Sequence, residues 1–232
     1  MVDYMISLAN GRDDVWDKMS DSQRERWAFL FGDFATDTAP TIEFDEHFPQ
    51  CKLYTLLEIQ TNQAMMVAHH NKETRLKRTV YAMVYSHSVT LLESFIGDSL
   101  IALVKCHPQI LQGLATHYDE VKNTKMTFAQ IINLPDGIKG KIISLLQNDT
   151  FHNLGTIDNI FQKAFGVFGK GIDTNSLGPI ISRRHDIVHR NGMSPTGERL
   201  MLELDFLETD IKTIMKFAGD LLNRMNSAVT NF

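Results

Sequence analysis

The chain has 232 residues, 43% hydrophobic and 22% charged, with a formal net charge of −5. These values match ordinary globular proteins and exclude disordered, fibrous and collagen-like classes. They also exclude a protein that coats nucleic acid through its overall field, so any affinity for RNA or DNA must come from local basic patches. Cys51 and Cys106 stand alone; two isolated cysteines make neither a disulfide scaffold nor a metal knuckle, and the expectation is reduced thiols and a cytoplasmic protein. The opening residues lack a basic segment followed by an apolar one, and no stretch approaches the roughly 18 apolar residues of a membrane span, so neither secretion nor membrane embedding is expected.

Residues 1–50 read as an acidic N-terminal arm through Asp13, Asp14, Asp17, Asp21, Asp33, Asp37, Glu43, Asp45 and Glu46, interrupted by Pro40 and Pro49. Within the arm, Ser20 to Gln23 can cap a short amphipathic stretch holding Trp27, Phe29, Leu30, Phe31 and Phe34. We read it as a docking segment. Residues 51–232 then form the domain proper.

From residue 53 to 104 the pattern predicts two long helices, with a turn in the polar run at residues 71–75. The second helix, residues 76–105, is apolar on several faces through Tyr81, Val84, Leu92, Phe95, Ile96 and Leu100, as a central buried helix is; Pro108 ends it. Residues 109–174 read as short helical pieces punctuated by Pro135, Gly137, Gly155, Gly166, Gly169 and Gly171. A further helix begins near Asn175 or Ser176, accepts Pro179 in its first turn and stops at Asn191 and Gly192. After a turn at residues 194–197, residues 200–204 read as a short extended piece, and residues 205–226 repeat apolar side chains at helical spacing. The expected class is all-α.

On the helix around residue 184, Leu177, Ile180, Ile181, Ile187 and Val188 fall within ~60° of Arg184 at ~100° per residue, which places Arg184 in the core-facing stripe. An arginine there is costly unless it is paired or lines a polar cleft. His185 and His189, four residues apart, share the neighbouring face. A guanidinium that stabilises a pentavalent phosphate, beside an imidazole that moves protons near neutral pH, suffices to cleave RNA through its own 2′-hydroxyl without a metal or other cofactor. Plainer readings stand beside this one. Arg184 also suits a structural ion pair, and His185 with His189 resembles the zinc-protease HExxH, with Asp186 where that motif has its glutamate and no evident third ligand. Glu93, in a strongly apolar run, is the expected partner for Arg184 or His189. Lys72, Arg75, Lys77 and Arg78 form a basic cluster suited to phosphates, although such runs are usually a solvated face.

Residues 184–192, RHDIVHRNG, resemble the signature of the HEPN family, an arginine followed by a polar residue and then a histidine after a short spacer. Residues 81–97, with SVTLLESF at 88–95, resemble the long helix of abortive-infection and toxin-type HEPN proteins. The resemblance implies a HEPN-like bundle of long antiparallel helices with additional short helices. It implies a metal-independent endoribonuclease acting in phage defence or a toxin–antitoxin system, in which two protomers join their motif helices about a twofold axis. Arg184 would hold the scissile phosphate and His189 would act as general acid or base, with His185 and Glu93 in support. Arg183, Arg190 and Asn191 would contact RNA together with the Lys72 to Arg78 cluster. Partners implied are RNA, a second copy of the chain and an antitoxin or other regulatory protein. The alternative is a catalytically inactive HEPN-like module that dimerises or binds RNA or protein. The acidic arm does not match the minimal family domain.

Overall fold

The computed structural model describes residues 46–148, 151 and 153–232. The acidic arm up to residue 45, including the stretch at residues 27–34, lies outside the described residues. What is described is all-helical apart from one isolated antiparallel bridge between Met193 and Arg199. No described helix is long and apolar enough to cross a membrane.

Two long helices come first, α1 (Pro49–His70) and α2 (Lys77–Cys106). Asn71 ends α1, donating its side-chain amide to the Val67 carbonyl at 2.9 Å, and Thr74 bonds back to Asn71 to form the expected turn. The bundle starts slightly earlier than the arm boundary expected at residue 50: Pro49 opens α1, and Gln50 is fully buried, donating to Asn226 at 2.8 Å. Helix α2 buries Tyr81, Tyr85, Val89, Leu92, Ile96, Leu100 and Leu103 along one stripe, and Val84, Leu91 and Phe95 widen that buried face on one side. It therefore needs neighbours on more than one side, while exposed Met83, His87, Thr90, Ser94 and Asp98 leave it one narrow solvent side. His107 is extended because the ring of Pro108 disfavours a helical conformation in the preceding residue. That same proline opens α3 (Pro108–His117).

The middle of the chain consists of α4 (Asp119–Lys122), α5 (Phe128–Ile132), α6 (Gly137–Asn148) and α7 (Leu154–Phe165). Helix α5 starts with a reciprocal capping box between Thr127 and Gln130. Helices α3 and α7 approach so closely at Gly113 that an added Cβ would lie 2.7 Å from the Lys163 carbonyl oxygen. A side chain there would force the pair apart. Short 3₁₀ turns at Gly166–Gly169 and Asn175–Leu177 lead into α8 (Gly178–His189), and the chain then runs through α9 (Leu204–Thr230).

Helix α9 is amphipathic: Leu207, Ile211, Ile214, Ala218, Leu221 and Met225 are buried at steps of three and four residues, and the helix packs against both α1 and α2. It starts at Leu204, so the piece expected to be extended at residues 200–204 already ends in its first residue. Polar contacts fix its position along the hairpin. His69 Nε2 lies 3.2 Å from Glu208 Oε1 near one end, and Arg224 donates to the carbonyls of Phe168, Lys170 and Gly171 near the other.

Leu221 is completely buried where α9 meets the core. Replacing it with alanine removes packed methyl groups and leaves a cavity, so Leu221→Ala is expected to lower stability by about 2–5 kcal/mol, read as a lower urea midpoint at unchanged helix content in buffer.

Candidate functional site

Helix α8 carries the residues singled out by their pattern. Pro179 occupies its first turn, where no intrahelical N–H is needed, and Leu177 and Ile180 bury its beginning. At the other end Arg190 caps the helix. The backbone carbonyl of Asp186 accepts from the N–H groups of Arg190 at 3.1 Å and Gly192 at 3.0 Å, and Asn191 and Gly192 both take positive φ, 53° and 73°, to turn the chain away. The carboxylate of Asp186 is buried and ion-paired to the Arg190 guanidinium. Asp186 thus closes the last turn through both its main chain and its side chain.

The buried stripe of α8 is centred on Ile180 and runs toward Ile187, which puts Arg183 and Arg184 on its two shoulders at about 60° and 40° from Ile180. Val188, expected on the core side, is 48% exposed. The stripe is narrower and rotated relative to the one drawn around Arg184.

The two arginines have different fates. Arg183 enters a half-buried network: it is ion-paired to Asp210 of α9 and donates to the Tyr85 hydroxyl of α2 at 3.2 Å, while that hydroxyl donates to Asp210 at 2.6 Å. Its guanidinium lies 4.1 Å from the centre of the Phe206 ring, within cation–π range. One side chain joins three helices. Arg184 is half-buried, its Nε is buried without a hydrogen-bond partner, and it forms no ion pair among the described residues. The pairing expected between Glu93 and either Arg184 or His189 is not formed among them.

His185 and His189 project to solvent with ring centres 4.7 Å apart and planes tilted by 44°. Among the described residues no cluster of three or more His, Cys, Asp or Glu could hold a metal, so these two gain no third ligand.

The end of the basic run, in the first turn of α2, comes against the loop after α8. Arg78 donates to the Leu200 carbonyl at 2.9 Å, with its guanidinium 3.8 Å from where a Cβ on Gly192 would sit, and Lys77 lies 3.7 Å from Glu203. Lys72 and Arg75 are exposed on the turn between α1 and α2. Of the expected RNA contacts, Arg183 and Arg190 are neutralised by carboxylates, and Asn191 is exposed in the turn that ends α8. The sequence reading did not single out Tyr85, Asp210 or Phe206. Tyr85 sits in an apolar run, and Asp210 is one acid among several at the start of an amphipathic helix, so only the fold brings them to Arg183.

No protein-family model, no curated protein and no solved structure matches this chain.

Burial raises the Tyr85 hydroxyl above its ordinary value of 10.0, and its hydrogen bond to Asp210 and the charge of that carboxylate add to the effect against a smaller opposing influence from Arg183. The folded chain therefore keeps a proton that the unfolded chain loses above about pH 10, and each pH unit beyond that point lowers stability by up to about 1.4 kcal/mol. In urea titrations between neutral pH and pH 11, Tyr85→Phe should flatten this alkaline loss. Tyr81, also raised by burial, should leave a residual slope.

Proposed function

We propose that this chain is a HEPN-type endoribonuclease that cleaves RNA without a metal and works as a homodimer. The carrying observation is Arg184: a half-buried guanidinium with no neutralising carboxylate among the described residues, on the same helix as two exposed imidazoles. An unpaired cation at the edge of the core is held at a cost, and a phosphate would supply the missing negative charge. The support on both sides is firm, because Arg183 ties α8 to α2 and α9 while Asp186 closes its last turn.

In the proposed reaction the substrate 2′-oxygen attacks the adjacent phosphorus as the bond to the 5′-oxygen breaks. One His189 takes the 2′-hydroxyl proton and a second gives a proton to the leaving 5′-oxygen, so proton number balances. Arg184 stabilises the charge gathering on the non-bridging oxygens. Residues five apart on a helix differ by ~140° in direction, so Arg184 and His189 of one chain do not converge on one phosphate. A second α8 about a twofold axis supplies the missing groups. The setting we infer is phage defence or toxin–antitoxin growth control in the cytoplasm.

The pairing of Arg183 and Arg190 with carboxylates favours a second reading, an inactive module of the same fold that dimerises or binds RNA or protein, because it leaves fewer cations for the RNA backbone. Incubation with mixed RNA in EDTA separates the two. The first reading expects cleavage to 5′-hydroxyl and 2′,3′-cyclic phosphate or 3′-phosphate ends. Arg184→Ala and His189→Ala should each lower the rate about 100-fold or more, and mixing the two variants should restore part of it through heterodimers. Equal cleavage by wild type and both variants, or 3′-hydroxyl ends, would overturn the catalytic assignment; RNA retained uncut supports the binding module.

A further inference from the structure

The hairpin of α1 and α2 leaves an open apolar groove near its turn, about 520 Å³ in volume, lined among others by Gln63, Val67, Val80, Met83, Val84 and His87. Val67 is 51% and Met83 67% exposed, and Met66 next to Val67 is 40% exposed. Single exposed apolar side chains are common, but a contiguous apolar channel marks a place where something binds. No residue of α9, which packs against the same two helices, lines this groove. At its turn end stand the exposed cations Lys72, Arg75 and Lys77.

We propose that the groove is the docking site for residues 27–34 of the same chain. This segment offers Trp27, Phe29, Leu30, Phe31 and Phe34 to an apolar channel, and the stretch 21–37 around it carries four acids, Asp21, Glu25, Asp33 and Asp37, against Arg24 and Arg26, a net charge of −2 opposite in sign to the basic turn. The tether is long enough. Val67 lies 18 residues along α1 from Pro49, about 27 Å at 1.5 Å per residue, whereas the 14 residues from 34 to 48 span up to ~46 Å. A second groove, lined by Val121, Met126, Ile131 and Leu134, has a volume of about 200 Å³, below the ~300 Å³ at which ligand pockets usually begin. It is small for a segment carrying several aromatic rings. The docking stands independently of any RNA cleavage.

Both tryptophans of the chain, Trp16 and Trp27, lie in the arm, so Trp16→Phe leaves Trp27 as the sole tryptophan reporter in the full-length protein. Its emission should be blue-shifted relative to the urea-unfolded chain. Met83→Glu, placed on an exposed side chain, should return the emission to the unfolded position with helix content retained, while Phe128→Glu beside the second groove should leave it unchanged. An unshifted emission in the parent, or one that ignores Met83→Glu and responds to Phe128→Glu, overturns the proposal. So does a fall in sedimenting mass with Met83→Glu at constant emission, which would identify a second copy as the occupant. A second measurement covers a misfolded Met83→Glu: with Cys51 and Cys106 changed to serine, Phe31→Cys and Met83→Cys should form a disulfide within one chain on mild oxidation, and a bond only between chains would count against it.

Discussion

The constraint on which the rest depends is that α2 must bury a broad face along its whole length and keeps only a narrow solvent side. Tyr81, Tyr85, Val89, Leu92, Ile96 and Leu100 line one stripe, and Val84, Leu91 and Phe95 adjoin it, so more than one partner is required to cover them. Helix α1 folds back across the Asn71 turn, α6 covers the later part, α8 lies against the Tyr85 region and α9 runs along both members of the hairpin. Gly97 allows Phe151 to rest on the helix, since an added Cβ would come within 3.0 Å of that ring. Apolar burial at about 25 cal/mol per Å² drives this arrangement without deciding how each partner is aligned.

Alignment comes from a few polar joins. Arg183, Asp210 and Tyr85 fix α8 against α2 and α9 at one point, and each group in the set satisfies another that would be costly to leave alone in a half-buried place. The guanidinium of Arg183 also lies over the Phe206 ring, adding a cation–π contact to the join. Because Arg184 follows directly in the chain, its orientation is inherited from the anchored Arg183. His107, buried at the junction of α2 and α3, makes a comparable join by bonding through Nε2 to the carbonyl of His47 at 2.8 Å.

The long helices were legible because their side chains repeat over many turns and their ends carry strong signals. Asn71 stops α1, Pro108 bounds α2, and Asn191 with Gly192 stops α8. The short helices between residues 109 and 174 were not, since a four- or five-residue helix such as α5 has no periodicity to read and depends on its Thr127 and Gln130 cap. The motif helix was placed in the right stretch but turned slightly wrongly. Its apolar residues include Val188, which counts as core on a wheel yet lies near the helix end, where the core has already fallen away. The wheel also could not show which of two adjacent arginines is paired, because the partners of Arg183 lie 27 residues downstream and 98 residues upstream. Glu93 was the acid expected to pair with Arg184 or His189, whereas the acid that the fold brings to this helix, Asp210, pairs with Arg183.

The bond between Gln50 and Asn226 joins residues 176 apart in sequence. A chain made from its N-terminus at roughly 5–20 residues per second completes α2 at Cys106 about 6–24 s before Asn226 of the covering helix is made. During that interval the hairpin shows the ribosome and its attendant chaperones the faces that α9 later hides, and loop-closure entropy delays their meeting further. The step of biogenesis most exposed to aggregation is therefore the wait for α9, and truncation ahead of it leaves a sticky hairpin instead of a smaller folded protein.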